Sequence, residues 1–122
     1  MKTSFRTSAL AALLGLAALG AAPARAEDTL KKIKDSAALT LGVRESSGAL
    51  SYTLGDGKYV GYHVEICQRV AAAVQKQLGL AKLEIKYQPV TSQNRIPLVQ
   101  NGTVDLECGS TTNNLTRQKD VA

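Results

Sequence analysis

The 122-residue sequence has no tryptophan, one phenylalanine, one histidine, two cysteines and three prolines. Two cysteines are too few to knit a small disulfide scaffold. With a single histidine and no CxxC step they are also a poor ligand set, so no metal is expected. No Gly-Pro period suggests a fibre, and 44% hydrophobic residues exclude the apolar-poor composition of a disordered chain. Neither GxxxxGK[ST] nor GxGxxG is present, so nucleotide binding lacks its usual phosphate cradle, and no serine sits in GxSxG. No internal repeat or low-complexity tract occurs. A length of 122 residues leaves room for one domain at most.

Basic residues outnumber acidic ones by 15 to 10, but much of that excess is local. Lys2 and Arg6 precede an unbroken Ala/Leu/Gly stretch from Ala9 to Ala22, and Ala24-Arg25-Ala26 supplies the small residues of a cleavage site. Residues 1–26 therefore read as a secretory signal peptide; the apolar stretch falls short of the roughly 20 residues that span a bilayer. Glu27 follows the expected cut, so no lipid-accepting cysteine stands there. Lys2, Arg6 and Arg25 leave with the signal, and residues 27–122 then carry 12 basic and 10 acidic side chains, a charge of only +2. Lys31, Lys32 and Lys34 read as a solvated helix face; no aromatics are interleaved for base stacking, and no nucleic-acid partner is expected. Export would place Cys67 and Cys108 in an oxidising compartment where a disulfide is possible. Their spacing does not decide it, and the preferred reading is two buried free thiols acting as small apolar residues.

Along the exported part, residues 28–36 form a short amphipathic helix with Leu30, Ile33 and Ala37 on its apolar side. Ala38–Val43 reads as a first strand running into the polar loop Arg44-Glu45-Ser46-Ser47-Gly48. Gly55-Asp56-Gly57 between two short β-prone runs predicts a hairpin. From His63, the three- and four-residue recurrence of Ile66, Cys67, Val70, Ala71, Val74 and Leu78 predicts a helix ended by Gly79. Leu83–Tyr87 reads as a second strand with its exit at Pro89. Asn94 is placed to cap a helix carrying Ile96 and Val99, with Pro97 in its first turn. Val104–Cys108 reads as a third strand, residues 109–114 as a polar loop, and residues 115–122 as the start of another helix. The order strand, helix, strand, helix, strand implies an α/β fold with parallel pairing and right-handed crossovers.

Catalytic constellations are hard to find. His63 reads as an ordinary helix-start histidine, Asp105 as a structural hydrogen-bond acceptor, and Glu45, Glu107 and Asp105 as scattered carboxylates that form no pair. Cations and hydroxyls instead collect at the strand exits: Arg44 with Ser46 and Ser47 after the first, Thr91, Ser92 and Arg95 after the second, Ser110 and Thr112 after the third, and Arg117 beyond. In a parallel sheet those exits share one edge, where open α/β folds hold ligands. Guanidinium groups grip carboxylates through paired hydrogen bonds, so a small anionic or zwitterionic ligand is implied.

The runs Arg44-Glu45-Ser46-Ser47, Gly61-Tyr62, Thr91-Ser92-Gln93-Asn94-Arg95-Ile96-Pro97-Leu98, Gln100-Asn101-Gly102-Thr103 and Glu107-Cys108-Gly109-Ser110-Thr111-Thr112-Asn113-Asn114 resemble the periplasmic glutamate/aspartate-binding proteins. These belong to the polar amino-acid receptors that serve ABC importers, and the likeness runs from about Leu30 to Ala122. It implies two α/β lobes joined by hinge strands with the ligand enclosed between them. Residues 27–122 would then be the N-terminal part of the first, periplasmic-binding-protein-like lobe, incomplete and without the second.

By the same resemblance, Arg117 and Thr112 would clamp an α-carboxylate, Ser110 would meet the α-amino group, and Arg44, Ser92 and Arg95 would receive a side-chain carboxylate. Thr116 departs from the Glu that relatives commonly have before Arg-Gln. The implied ligand is L-glutamate or L-aspartate and the implied partner an inner-membrane ABC permease. The implied state is a periplasmic monomer, not an enzyme, with no cofactor. A periplasmic enzyme or a sensor module built on the same fold is the alternative.

Overall fold

The computed structural model describes residues 25–122, with side chains from Asp28 onward. All but the last two residues of the expected signal peptide thus lie outside the described residues. In the region described, α1 (Arg25–Ser36) leads into β1 (Ala38–Val43), the hairpin β2 (Tyr52–Gly55) and β3 (Lys58–Val60), then α2 (Tyr62–Gln77). β4 (Glu84–Pro89), α3 (Arg95–Gln100) and β5 (Leu106–Cys108) complete the order.

β1 is the centre of a three-stranded parallel sheet in the order β4-β1-β5. Alternation along β1 sends Leu39, Leu41 and Val43 to one face, where Ile33 of α1 and Val64, Cys67 and Ala71 of α2 bury them. The crossover from β4 to β5 passes over β1 in the opposite direction to the one from β1 to β4. Right-handedness therefore sets α3 against the other face. That face carries Gly42, flanked in register by Gln88 of β4 and Glu107 of β5. A Cβ on Gly42 would stand 2.8 Å from Val104 Cγ1 and 3.4 Å from Val90 Cγ1, both on buried valines. Gly42→Ala is expected to cost about 1–3 kcal/mol by overpacking this layer, read as a lower urea midpoint at unchanged slope. An unchanged midpoint would show that the two valines move aside freely.

The hairpin forms where Asp56 and Gly57 both take positive φ, as a tight two-residue turn requires. Three other expectations need correction. The helix expected over residues 115–122 is a single 3-10 turn, Arg117–Lys119, introduced by Asn114, whose Oδ1 accepts the Arg117 N–H at 2.9 Å. A helix this short holds only when it packs an apolar face, and Leu115 is 80% exposed.

The lysine face of α1 is not wholly solvated. Lys32 Nζ donates to Asp105 Oδ1 at 2.8 Å and to the Gly102 carbonyl at 2.6 Å. Lys31, by contrast, pairs with Asp35 on the exposed side, and that hydrogen bond raises its pKa. Asp105 is the structural acceptor expected, since its Oδ2 also takes the Thr40 N–H at 2.9 Å, a side chain standing in for a ladder bond just before β5.

Finally, Cys67 and Cys108 are not free thiols but a disulfide, with Cα atoms 6.1 Å apart. The bond ties the middle of α2 to the end of β5. Helix packing on the strand creates that adjacency, which a separation of 41 residues conceals. Among the described residues no helix is long and apolar enough to cross a membrane.

Candidate functional site

The parallel register ends β1, β4 and β5 side by side, at Val43, Pro89 and Cys108. Arg44 leaves the central strand with its main chain pinned: its N–H donates to Ser51 Oγ at 2.9 Å, and that fully buried hydroxyl donates back to the Arg44 carbonyl at 3.1 Å. The Arg44 side chain then spans two loops. Nε donates to Ser47 Oγ and Nη1 to Ser92 Oγ, each at 3.2 Å. Ser47 Oγ in turn shares a hydrogen bond of 3.3 Å with Ser110 Oγ. One polar chain, Ser92–Arg44–Ser47–Ser110, thereby crosses all three strand exits.

Arg95 is the first residue of α3 and only 8% exposed, yet its Nε and Nη1 are buried without a hydrogen-bond partner. Its backbone is set by the preceding loop. Asn94, expected to cap the helix, makes no bond into it; instead Thr91 N–H donates to Asn94 Oδ1 at 2.7 Å and Asn94 N–H to Thr91 Oγ1 at 3.2 Å. This reciprocal pair is a capping box with Asn in the place of Glu. Pro97, third in α3, falls among the first N–H positions that have no partner inside a helix, as expected.

Arg117 and Thr112 also meet, through the main chain: Arg117 Nη1 donates to the Thr112 carbonyl at 2.7 Å. The expected residues do not share a single hollow. Arg44 and Ser92 line one of about 220 Å³, while Thr112 and Arg117 line another of about 240 Å³ together with Glu107 and Thr111. None of the ion pairs among the described residues involves Arg44, Arg95 or Arg117. Guanidinium groups at a sheet edge with no acidic partner are suited to an external anion. Among the described residues no three His, Cys, Asp or Glu converge to hold a metal ion.

Several contributors escaped the sequence reading as site residues. Ser47 was among the hydroxyls collected at the first strand exit but was given no role, and Ser51 bore no signal at all. His63, at the start of α2 as expected, donates from Nδ1 to the Gly109 carbonyl, one residue before Ser110. Together with the disulfide one residue earlier, this fastens the β5 exit to α2 at two points one helical turn apart.

A parallel sheet with helices on both faces and arginines outside every ion pair at its strand exits defines an α/β lobe of the kind whose strand ends suit ligands. Residues 39–122 match the family of bacterial extracellular solute-binding proteins, family 3, and the chain belongs to it. It is 54% identical over 111 residues to the L-glutamate/L-aspartate-binding protein of Pseudomonas aeruginosa, covering 87% of this chain and 36% of that protein. It is 48% identical over 114 residues to the glutamate/aspartate import solute-binding protein of Escherichia coli strain K12, covering 93% and 38%. The chain thus spans little more than a third of the length of these relatives. Among solved structures, the solute receptor for L-cysteine of Neisseria gonorrhoeae superposes with a TM-score of 0.64 at 24% identity, over 76% of this chain and 36% of that one. Domain 1 of an arginine-binding protein, TmArgBP, superposes with a TM-score of 0.60 at 22% identity, over 74% and 64%. The expected fold, a periplasmic-binding-protein lobe, is therefore the one observed.

Proposed function

We propose that this chain supplies one wall of the ligand cleft of a periplasmic receptor that captures L-glutamate or L-aspartate and delivers it to an inner-membrane ABC permease. Residues 1–26 serve as the export signal and are removed. The observation that carries the reading is Arg95, a guanidinium more than nine-tenths buried with two donors unpartnered. Burying such a group alone is costly, and a ligand carboxylate would recover that cost with charge-assisted bonds of about 1.5–3 kcal/mol each. Arg44 and Ser92 would share that side-chain carboxylate. Arg117 and Thr112 would take the α-carboxylate and Ser110 the ammonium. An acidic amino acid has two anionic groups for the two arginine clusters, whereas a neutral one leaves a cluster unpaired. The identity of about half to proteins named for glutamate and aspartate supports the same choice.

The enzyme reading draws on resemblance to an ancestral amino-acid-binding protein described as a precursor of cyclohexadienyl dehydratase, at 25% identity. The more similar relatives are named as binding and import proteins, and we infer a receptor and no catalysis. Calorimetric titration of the protein at its relatives' full length, across a panel of amino acids, tests this. Glutamate and aspartate are expected to bind at least about 100-fold more tightly than glutamine and asparagine, some 2.7 kcal/mol. Equal affinity for acids and amides would remove the acidic-ligand reading.

A further inference from the structure

Glu107 was read in the sequence as one of several unconnected carboxylates, but the fold gives it a definite place. Cys108 and Leu106 turn toward α2 and the main core, so alternation turns Glu107 to the α3 face of the sheet. There it lies in register beside Gly42, which has no side chain to crowd it. Its Oε1 is buried and has no hydrogen-bond partner. Gly109, itself buried, marks how near the carboxylate comes to Arg44: a Cβ on that glycine would collide with both Arg44 Cγ and Glu107 Oε1. Arg95, from α3, is the other buried ionisable group on this face with donors unspent. Glu107 also lines the hollow of Thr112 and Arg117, so it stands between the two arginine clusters, and no ion pair among the described residues involves it, Arg44 or Arg95.

We propose that Glu107 is a specificity-determining residue that sets the charge of the distal-carboxylate subsite. Arg44 and Arg95 alone would offer two positive charges, a good host for sulfate or hydrogen phosphate. With Glu107 behind them the net charge is +1, which matches a single carboxylate and leaves a divalent anion with one charge uncompensated. In a poorly hydrated site an uncompensated charge is strongly disfavoured. The role rests on the acidic-amino-acid reading for its ligand, but the charge balance can be measured without it.

The test uses sulfate and L-glutamate as separate probes on the full-length protein, titrated by calorimetry with wild type and Glu107→Gln. Gln keeps the shape and removes the charge. Sulfate is expected to bind the variant about tenfold or more tightly than it binds wild type, and the ratio of sulfate to glutamate affinity to rise by a similar factor. Unchanged sulfate affinity, or equal shifts for both ligands, overturns the proposal. If wild type fails to bind glutamate, the acidic-ligand reading falls, while the sulfate comparison still decides the role of Glu107. Should Glu107→Gln be too unstable to titrate, the double variant Glu107→Gln/Arg95→Gln, whose net charge is again +1, must fold and reject sulfate. A double variant as unstable as the single one would show that Glu107 serves packing rather than charge, and would also overturn it.

Discussion

Arg95→Gln in the full-length protein is expected to weaken glutamate binding by about 10- to 150-fold, the loss of one charge-assisted clamp of about 1.5–3 kcal/mol. Glutamine should lose less and can gain, because its side-chain amide never used the full charge of the guanidinium. Arg117→Gln should instead weaken glutamate, aspartate and glutamine by similar factors, since all three present the same α-carboxylate. The contrast follows from where the two arginines stand. Arg95 is buried at the start of α3 with donors unspent, whereas Arg117 reaches back to the Thr112 carbonyl on the β5 side. The ligand-free Arg95→Gln protein should melt no lower than wild type, because the buried Nε and Nη1 make no hydrogen bond and the guanidinium no ion pair that Gln would lose. Calorimetry with the three ligands and thermal melting without any give the four comparisons. Equal losses for glutamate and glutamine in Arg95→Gln, with folding intact, would take the distal carboxylate away from Arg95.

Those arginines could be found in the sequence because strand exits can be. Alternation in Ala38–Val43, helical recurrence after His63 and the helix start marked by Asn94 and Pro97 are local signals, and a strand–helix–strand order leaves few topologies to choose from. The parallel sheet, its edge of polar loops and the hairpin at Asp56-Gly57 all follow from such signals. What stayed hidden depends on contacts between distant segments. Lys32 looks like any solvated lysine until the β5 segment brings Asp105 to it. Ser51 looks like a linker serine until it closes two bonds on Arg44. Glu107 has an informative neighbour only because β1 places a glycine across the ladder. The turn at Arg117–Lys119 shows the opposite failure: residues 115–122 have acceptable helix propensity and Asn114 caps their start, yet only a single 3-10 turn forms.

The cysteines are the clearest case of tertiary adjacency that spacing conceals, and they set the largest expected stability change. Reducing the Cys67–Cys108 bond, or replacing both residues by alanine, is expected to lower unfolding free energy by about 2–4 kcal/mol. The bond closes a loop that holds most of α2, all of β4 and all of α3. The effect should reach the site, since Cys108 is followed by Gly109 and Ser110, and among the described residues the His63 bond to the Gly109 carbonyl would then be the hydrogen bond left between this exit and α2. Combining the cysteine replacements with His63→Ala, which removes that second tie, should therefore weaken ligand binding by more than the product of the separate losses. Residues held by one shared backbone segment are where additivity fails. Urea unfolding with and without reductant measures the first effect, and calorimetry on the single and combined variants the second. A urea midpoint that ignores the reductant would restore the reading of two free thiols. Strictly multiplicative losses of affinity would show that the two ties act independently, and no loss from either would leave Ser110 positioned from the Ser47 side alone.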